Sequence, residues 1–162
     1  MSRKPTGTTT RKNTSISEIM SDRLETINLL GSAKDAAIMM TNRNVSSLLV
    51  VDDDRKAVGI ITERDLVRRV CTKDIPSRLV TIQNVISAPL KTVPAKTPID
   101  KVADIMVRNK IRHVVVVTDE ADKQEPVGIV SATDIVAFVR ENSETMAQIT
   151  REVMEALERE AA

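Results

Sequence analysis

Two short segments pair a hydroxyl with a carboxylate at one spacing. The first is Gly59-Ile60-Ile61-Thr62-Glu63-Arg64-Asp65 and the second is Gly128-Ile129-Val130-Ser131-Ala132-Thr133-Asp134. Each holds a Gly, two aliphatic residues, a hydroxyl and then, three places on, an Asp. An ionised Asp is an acceptor with two oxygens, so it can receive bonds from a vicinal pair of hydroxyls such as a ribose presents. A helix N-terminus beside it attracts phosphate. The same spacing also describes a capping box, in which hydroxyl and acid satisfy each other's backbone N–H groups. A cap prefers Glu or Gln at its third position, whereas both segments use Asp, and one geometry can serve both purposes.

A second pair of segments leads into aliphatic runs: Val45-Ser46-Ser47-Leu48 and Ile111-Arg112-His113-Val114. Arg112 offers a planar fork that matches phosphate oxygens. Alone, it reads equally as the partner of an acid, and His113 alone reads as a surface or a partly buried residue. Side by side at the mouth of a cleft they form a phosphate contact. Arg64, between its hydroxyl and its acid, either adds to that charge or is a solvated residue of a first helical turn.

The elements that position these groups come from an internal repeat, the feature to seek first in any chain. Residues 19–53 align with 85–119 at a constant offset: Ser21 with Ser87, Leu24 with Leu90, Ala37 with Ala103, Met40 with Met106, Asp53 with Asp119. After three extra residues in a polar loop, 59–70 aligns with 128–139. Each copy reads as strand, helix, strand, strand, helix. The first strands fall near 25–28 and 91–94. In the first copy Ser32 and Asp35 start the helix. In the second, Thr97 is expected as N-cap, with Pro98 at the first helical position and Asp100 at the positive helix end. The aliphatic runs 48–51 and 114–117 read as strands buried on both faces. A turn leads to strands at 57–61 and 127–130, and second helices open at Thr62 and Ser131. The fold expected is therefore α/β: two pseudo-symmetric repeats, 16–76 and 77–140, packed face to face with two related clefts between them.

Composition narrows the functions. The chain has 24 basic and 23 acidic residues, a net charge of +1, so no overall field holds a polyanion. Phe138 is the single aromatic residue, which argues against a base-stacking platform for single strands. One cysteine, Cys71, and one histidine, His113, exclude an internal disulfide and any His- or Cys-rich metal site, and a reducing compartment fits. No apolar run reaches the ~20 residues of a membrane-spanning helix. Residues 1–15 are polar and basic, expected as a disordered tail, with a transit peptide as the other reading. Residues 141–162 carry Met146, Ile149, Val153 and Leu157 at helical spacing, expected as an amphipathic helix that covers the domain, docks on a partner subunit or contacts an effector.

Across 17–140 the chain resembles a tandem pair of CBS domains, a Bateman module. The likeness rests on GIITERDL, GIVSATDI, IRHVVVV and the shared order of elements. It implies an adenosine-containing ligand, such as AMP, ADP, ATP or S-adenosylmethionine, between the repeats, and a disc-like homodimer. By the same resemblance Asp65 and Asp134 accept ribose hydroxyls, and Thr62, Ser131 and Thr133 bond ribose or phosphate. Ile111 and Arg112 face the Asp65 cleft, Val45 and Ser46 face the Asp134 cleft, and His113 reaches phosphate. Backbone near Ile27 and Val93 frames the adenine. The chain departs from the family in having Leu49 and Val115 where many members carry Pro. It also has Ser46-Ser47 where its own second repeat has Arg112-His113. The Asp65 cleft, with Arg64 and Arg112, is expected to suit phosphates better, and the Asp134 cleft to be weaker or empty.

The favoured reading is a cytoplasmic, non-catalytic sensor that binds an adenosine nucleotide and alters how an effector protein is held. No resident cofactor or metal is expected. The sequence has no Walker loop, and Asp52, Asp53 and Asp54 read as a turn. Two alternatives stay open: a structural scaffold that binds no nucleotide, and a sensor whose tail residues Arg3, Lys4, Arg11 and Lys12 attach weakly to nucleic acid.

Overall fold

The computed structural model describes residues 14–142 and Glu155. Most of the basic tail and of the C-terminal segment, with the readings given for them, lies outside the described residues. Each repeat forms its own three-stranded sheet. In the first, β1 (Thr26–Asn28) runs parallel to β2 (Ser47–Val51), with α1 (Ala33–Arg43) as the crossover, and β3 (Ala57–Thr62) returns antiparallel before α2 (Glu63–Arg69). The second repeats this with β4 (Thr92–Pro94), α3 (Ile99–Asn109), β5 (His113–Val117), β6 (Pro126–Ser131) and α4 (Ala132–Glu141). The middle strand lies at the centre of each sheet. Both sheets carry a register shift at the equivalent step, Val50/Val51 and Val116/Val117. Among the described residues no helix is long and apolar enough to cross a membrane.

The aliphatic middle strands are buried on both faces, as expected of continuous apolar runs. Leu48 and Val50 enter the first repeat's core with Ile27, Ala36, Met40 and Ile61. Val114 and Val116 enter the second's with Val93, Val102, Met106 and Val130. The alternate residues Leu49, Val115 and Val117 form a third, smaller cluster with Ala57 and Leu90. The two departures from the family's Pro pattern, Leu49 and Val115, thus belong to one apolar cluster that joins the repeats. Each repeat has its own core, and the cluster between them is small.

The connecting segments sharpen the boundary set at 76/77. Val80, Ile82 and Val85 are buried in the first core, so residues 77–86 complete the first repeat. Ile16, fully buried, packs in the second core with Ile19 and Met20 beside it, although all three open the first repeat, ahead of β1. Backbone bonds explain the exchange. Ser21 and Ile129 donate to each other's carbonyls, both at 2.9 Å, and Ser87 and Ile60 do so at 2.9 and 3.2 Å. Both bridges require the glycine that opens each motif. A Cβ on Gly59 would lie 2.7 Å from Ile86 Cγ1 and 2.8 Å from the Ser87 carbonyl oxygen. A Cβ on Gly128 would lie 2.5 Å from Met20 Sδ.

The caps hold with one correction. Ser32 accepts from Asp35 N–H and starts α1 as expected. In the second repeat the cap position is Pro98, not Thr97, and α3 begins at Ile99. Its first free N–H, that of Ile99, is satisfied by the Thr14 carbonyl at 3.1 Å. A backbone acceptor from the N-terminal segment therefore does what a Thr side chain was expected to do, and Pro98 stays extended beside Ser15.

Candidate functional site

The second helices open on reciprocal capping boxes. Thr62 Oγ1 accepts from Asp65 N–H at 3.3 Å, while Asp65 Oδ2 accepts from Thr62 N–H at 3.0 Å and from its hydroxyl at 2.9 Å. Ser131 and Asp134 repeat this at 3.2, 2.7 and 2.7 Å. The cap is therefore real in both repeats, yet it occupies only one oxygen of each Asp. The other oxygens differ. Asp65 Oδ1 accepts from the Ser87 hydroxyl at 3.0 Å and lies 3.6 Å from Arg69 Nη2. Asp134 Oδ1 accepts no hydrogen bond among the described residues.

Asp65, 7 % exposed, lies in the wall of a cavity of about 460 Å³ between the repeats. Thr62 and Arg64 join it from the first repeat, Ile111, Arg112 and His113 from the second. The sequence pairing of Asp65 with the opposite repeat's middle-strand lead is what the structure assembles. Ser131 and Thr133 also border this cavity. Arg64 donates from Nη1 to the Lys110 carbonyl at 3.0 Å, so the first repeat's motif closes on the last turn of the second repeat's helix. Lys110 itself takes the left-handed conformation there, φ 54°, as Asn44 does at the equivalent end of α1.

A second cavity, about 260 Å³, is bordered by Asp134 and Ser131 from the second repeat and by Val45 and Ser46 from the first. His113 borders both cavities. Its Nε2 and the Ser46 hydroxyl lie 2.9 Å apart. Burial pushes the imidazole pKa below its usual 6.5. Asp134 and, to a smaller degree, Asp65 oppose that shift, while Arg64 and Arg112 add to it.

Ile27 and Val93 border neither cavity. Both are buried in the repeat cores, because a residue in the middle of a short parallel strand points into the layer between sheet and helix. The second cavity instead meets the chain earlier, at Leu24 and Glu25. Sequence reasoning missed Ser87, Arg68, Arg69 and Lys110 around Asp65, and Ser21, Arg23 and Glu25 around Asp134. Two signals could have found some of them. Ser21 and Ser87 recur at the repeat's own offset, and Arg69 stands one helical turn beyond Asp65 on the same face.

The CBS domain family model matches residues 16–72 and 82–141. The chain belongs to the CBS-domain family and carries two copies of the domain. It is similar to a CBS domain protein of Thermoplasma acidophilum, TA0289, at 26% identity and TM-score 0.73, over 82% of this chain and 71% of that one. It is also similar to the CBS domain pair of protein MJ0100, solved in complex with 5′-methylthioadenosine and S-adenosyl-L-methionine. There the identity is 28% and the TM-score 0.70, over 80% of this chain and 98% of the other. An uncharacterized 17.7 kDa protein of Acidianus ambivalens shares 30% identity over 122 residues, 75% of this chain and 71% of its own.

Proposed function

We propose that this CBS pair is a regulatory module that binds AMP, ADP or ATP in the Asp65 cavity and transmits the binding to an effector protein. One observation carries the reading: a cavity of ligand size, walled by both repeats, sets a buried carboxylate among Arg64, Lys110 and Arg112. Asp65 accepts ribose hydroxyls, and the guanidinium groups of Arg64 and Arg112 meet the phosphates through charge-assisted bonds of about 1.5–3 kcal/mol each. Arg64 must exchange the Lys110 carbonyl for phosphate. A ligand that touches both repeats favours the arrangement it fits best, by the difference in its affinity for the two. The adenosine ligands of the MJ0100 complex support the class of ligand. We place the module in the cytoplasm, as a homodimer without catalytic activity of its own.

A structural scaffold is the second reading. It draws on the Asp65 carboxylate being already engaged by Thr62 and Ser87. Calorimetry of the folded chain with AMP, ADP, ATP and GTP separates the two. Saturable uptake of an adenine nucleotide, lost in Asp65→Ala and absent for GTP, supports the sensor. No uptake of any of the four leaves the scaffold.

A further inference from the structure

His113 is the only histidine in the chain, and it opens β5 opposite Ser131 of β6. It borders the Asp65 cavity, where five basic residues stand against two acids, Glu63 and Asp65. Among the residues lining that cavity it alone has a side chain whose ordinary charge change falls near neutral pH. Charged groups act on the ring from each side: Arg64 and Asp65 from α2, Asp134 from α4, and Arg112 from the lead into β5. Ser46, from the lead into β2, lies at hydrogen-bond distance, 2.9 Å from Nε2.

The four charges divide evenly by sign, but the acids are tied into their capping boxes, and Asp65 also accepts from Ser87. Burial then decides, and it keeps the ring neutral at a pH where an exposed imidazole already charges. A phosphate in the cavity reverses the balance. It pairs with the guanidinium groups of Arg64 and Arg112, which removes their repulsion, and it brings negative charge of its own. An opposite charge within about 4–6 Å moves a titration midpoint by about 1–3 pH units. The ligand also excludes water, which works the other way, but burial has already removed much of the ring's water. Protonation keeps the Ser46 bond, because a hydroxyl oxygen accepts as well as its O–H donates. It leaves both ring nitrogens as donors, and Nδ1 has no partner among the described residues. A phosphate oxygen satisfies that N–H directly or through water.

We infer that His113 gains a proton when a phosphate-bearing ligand enters the Asp65 cavity, so that the module holds that ligand more tightly as the pH falls below neutrality. The inference rests on the nucleotide reading of that cavity and adds a second signal to it. Arg64 and Arg112 attract phosphate at any pH, whereas His113 makes part of the attraction conditional on acidity. By linkage, the proton and the ligand raise each other's affinity by the same factor.

A chain with one histidine gives one imidazole signal, so magnetic resonance reads the titration of His113 directly in the untagged, full-length wild type. The signal is followed from about pH 8 to about pH 5.5, across the range in which imidazole titrates, in the free chain and with ADP, pyrophosphate or adenosine. ADP and pyrophosphate are expected to raise the midpoint, and adenosine to leave it where it was. Calorimetry supplies the second readout. The gain in ADP affinity between about pH 7.5 and about pH 6 is expected to be about threefold to tenfold larger in wild type than in His113→Gln. The ligand's own phosphate also titrates there, but equally for both proteins. Saturable ADP binding with an unmoved or lowered midpoint would overturn the inference and leave the nucleotide reading intact. So would an equal affinity gain in His113→Gln, or a midpoint that adenosine raises as far as ADP does. A midpoint raised by pyrophosphate in a chain that binds no ADP would sink the nucleotide reading and keep the inference. Failure of both phosphate ligands to bind sinks both.

Discussion

Ser46 and His113 join the two repeats through one hydrogen bond of 2.9 Å, in the wall shared by the Asp65 and Asp134 cavities. Neither residue has its like at the equivalent position, since Ser46 aligns with Arg112 and Ser47 with His113. The bond is thus a one-off in a duplicated chain, and it makes the wall between the cavities a contact between repeats.

Ser46→Ala is expected to cost about 1 kcal/mol, because it removes the bond and leaves a half-buried ring nitrogen unpaired. Urea unfolding measures it, and Ser46→Thr should restore most of the loss. A Thr variant no better than Ala would mean that the bond contributes nothing.

Stability should decline on mild acidification, through His113. Its folded pKa lies below 6.5, so below about pH 6.5 the unfolded chain takes up a proton that the folded chain resists. The contribution is complete above that value and is lost as pH falls through it toward the folded pKa. Thermal unfolding between pH 7.5 and 5.5 should show a steeper fall for wild type than for His113→Gln. Parallel curves would assign the dependence to other groups.

Gly59→Ala should destabilise by about 1–3 kcal/mol through overpacking, since the new methyl meets Ile86 and the Ser87 carbonyl. The damage should be local to the connecting segment. Amide exchange at Ser87 is expected to rise before exchange in β2 does, and uniform protection across both would contradict this.

Arg69 ties that same segment down by donating from Nη1 to the carbonyls of Val85 at 2.9 Å and Ile86 at 2.7 Å. Arg69→Met keeps the aliphatic stem and removes the donors, with an expected loss of about 1 kcal/mol. Unchanged unfolding midpoints in Arg69→Met would show that water replaces both bonds without cost.

The order of elements was legible because two patterns were unusually plain. A duplicated chain shows its boundaries twice, and runs such as Val114–Val117 have no polar face, so only a doubly buried strand accommodates them. Asp65 with Arg112, and Asp134 with Ser46, were legible as cavity partners through the family resemblance. What escaped notice depends on contacts far apart in the chain. Nothing local says that Ser87 reaches Asp65, or that Thr14 supplies the acceptor that displaces Thr97 from the cap. The side chains of Ile27 and Val93 face the cores of their own repeats, a direction set by the sheet each strand joins and not by the strand's own residues.

The exchange of connecting segments makes the two halves unequal as pieces. A fragment that stops after residue 86 keeps Val80, Ile82 and Val85, and so its core is whole, while its leading stretch has nowhere to dock. A fragment that starts after residue 86 keeps every strand and helix of its repeat and still lacks Ile16, which leaves an apolar vacancy beside Val102 and Val130. Autonomy runs in one direction along this chain: the second repeat depends on residues that open the first.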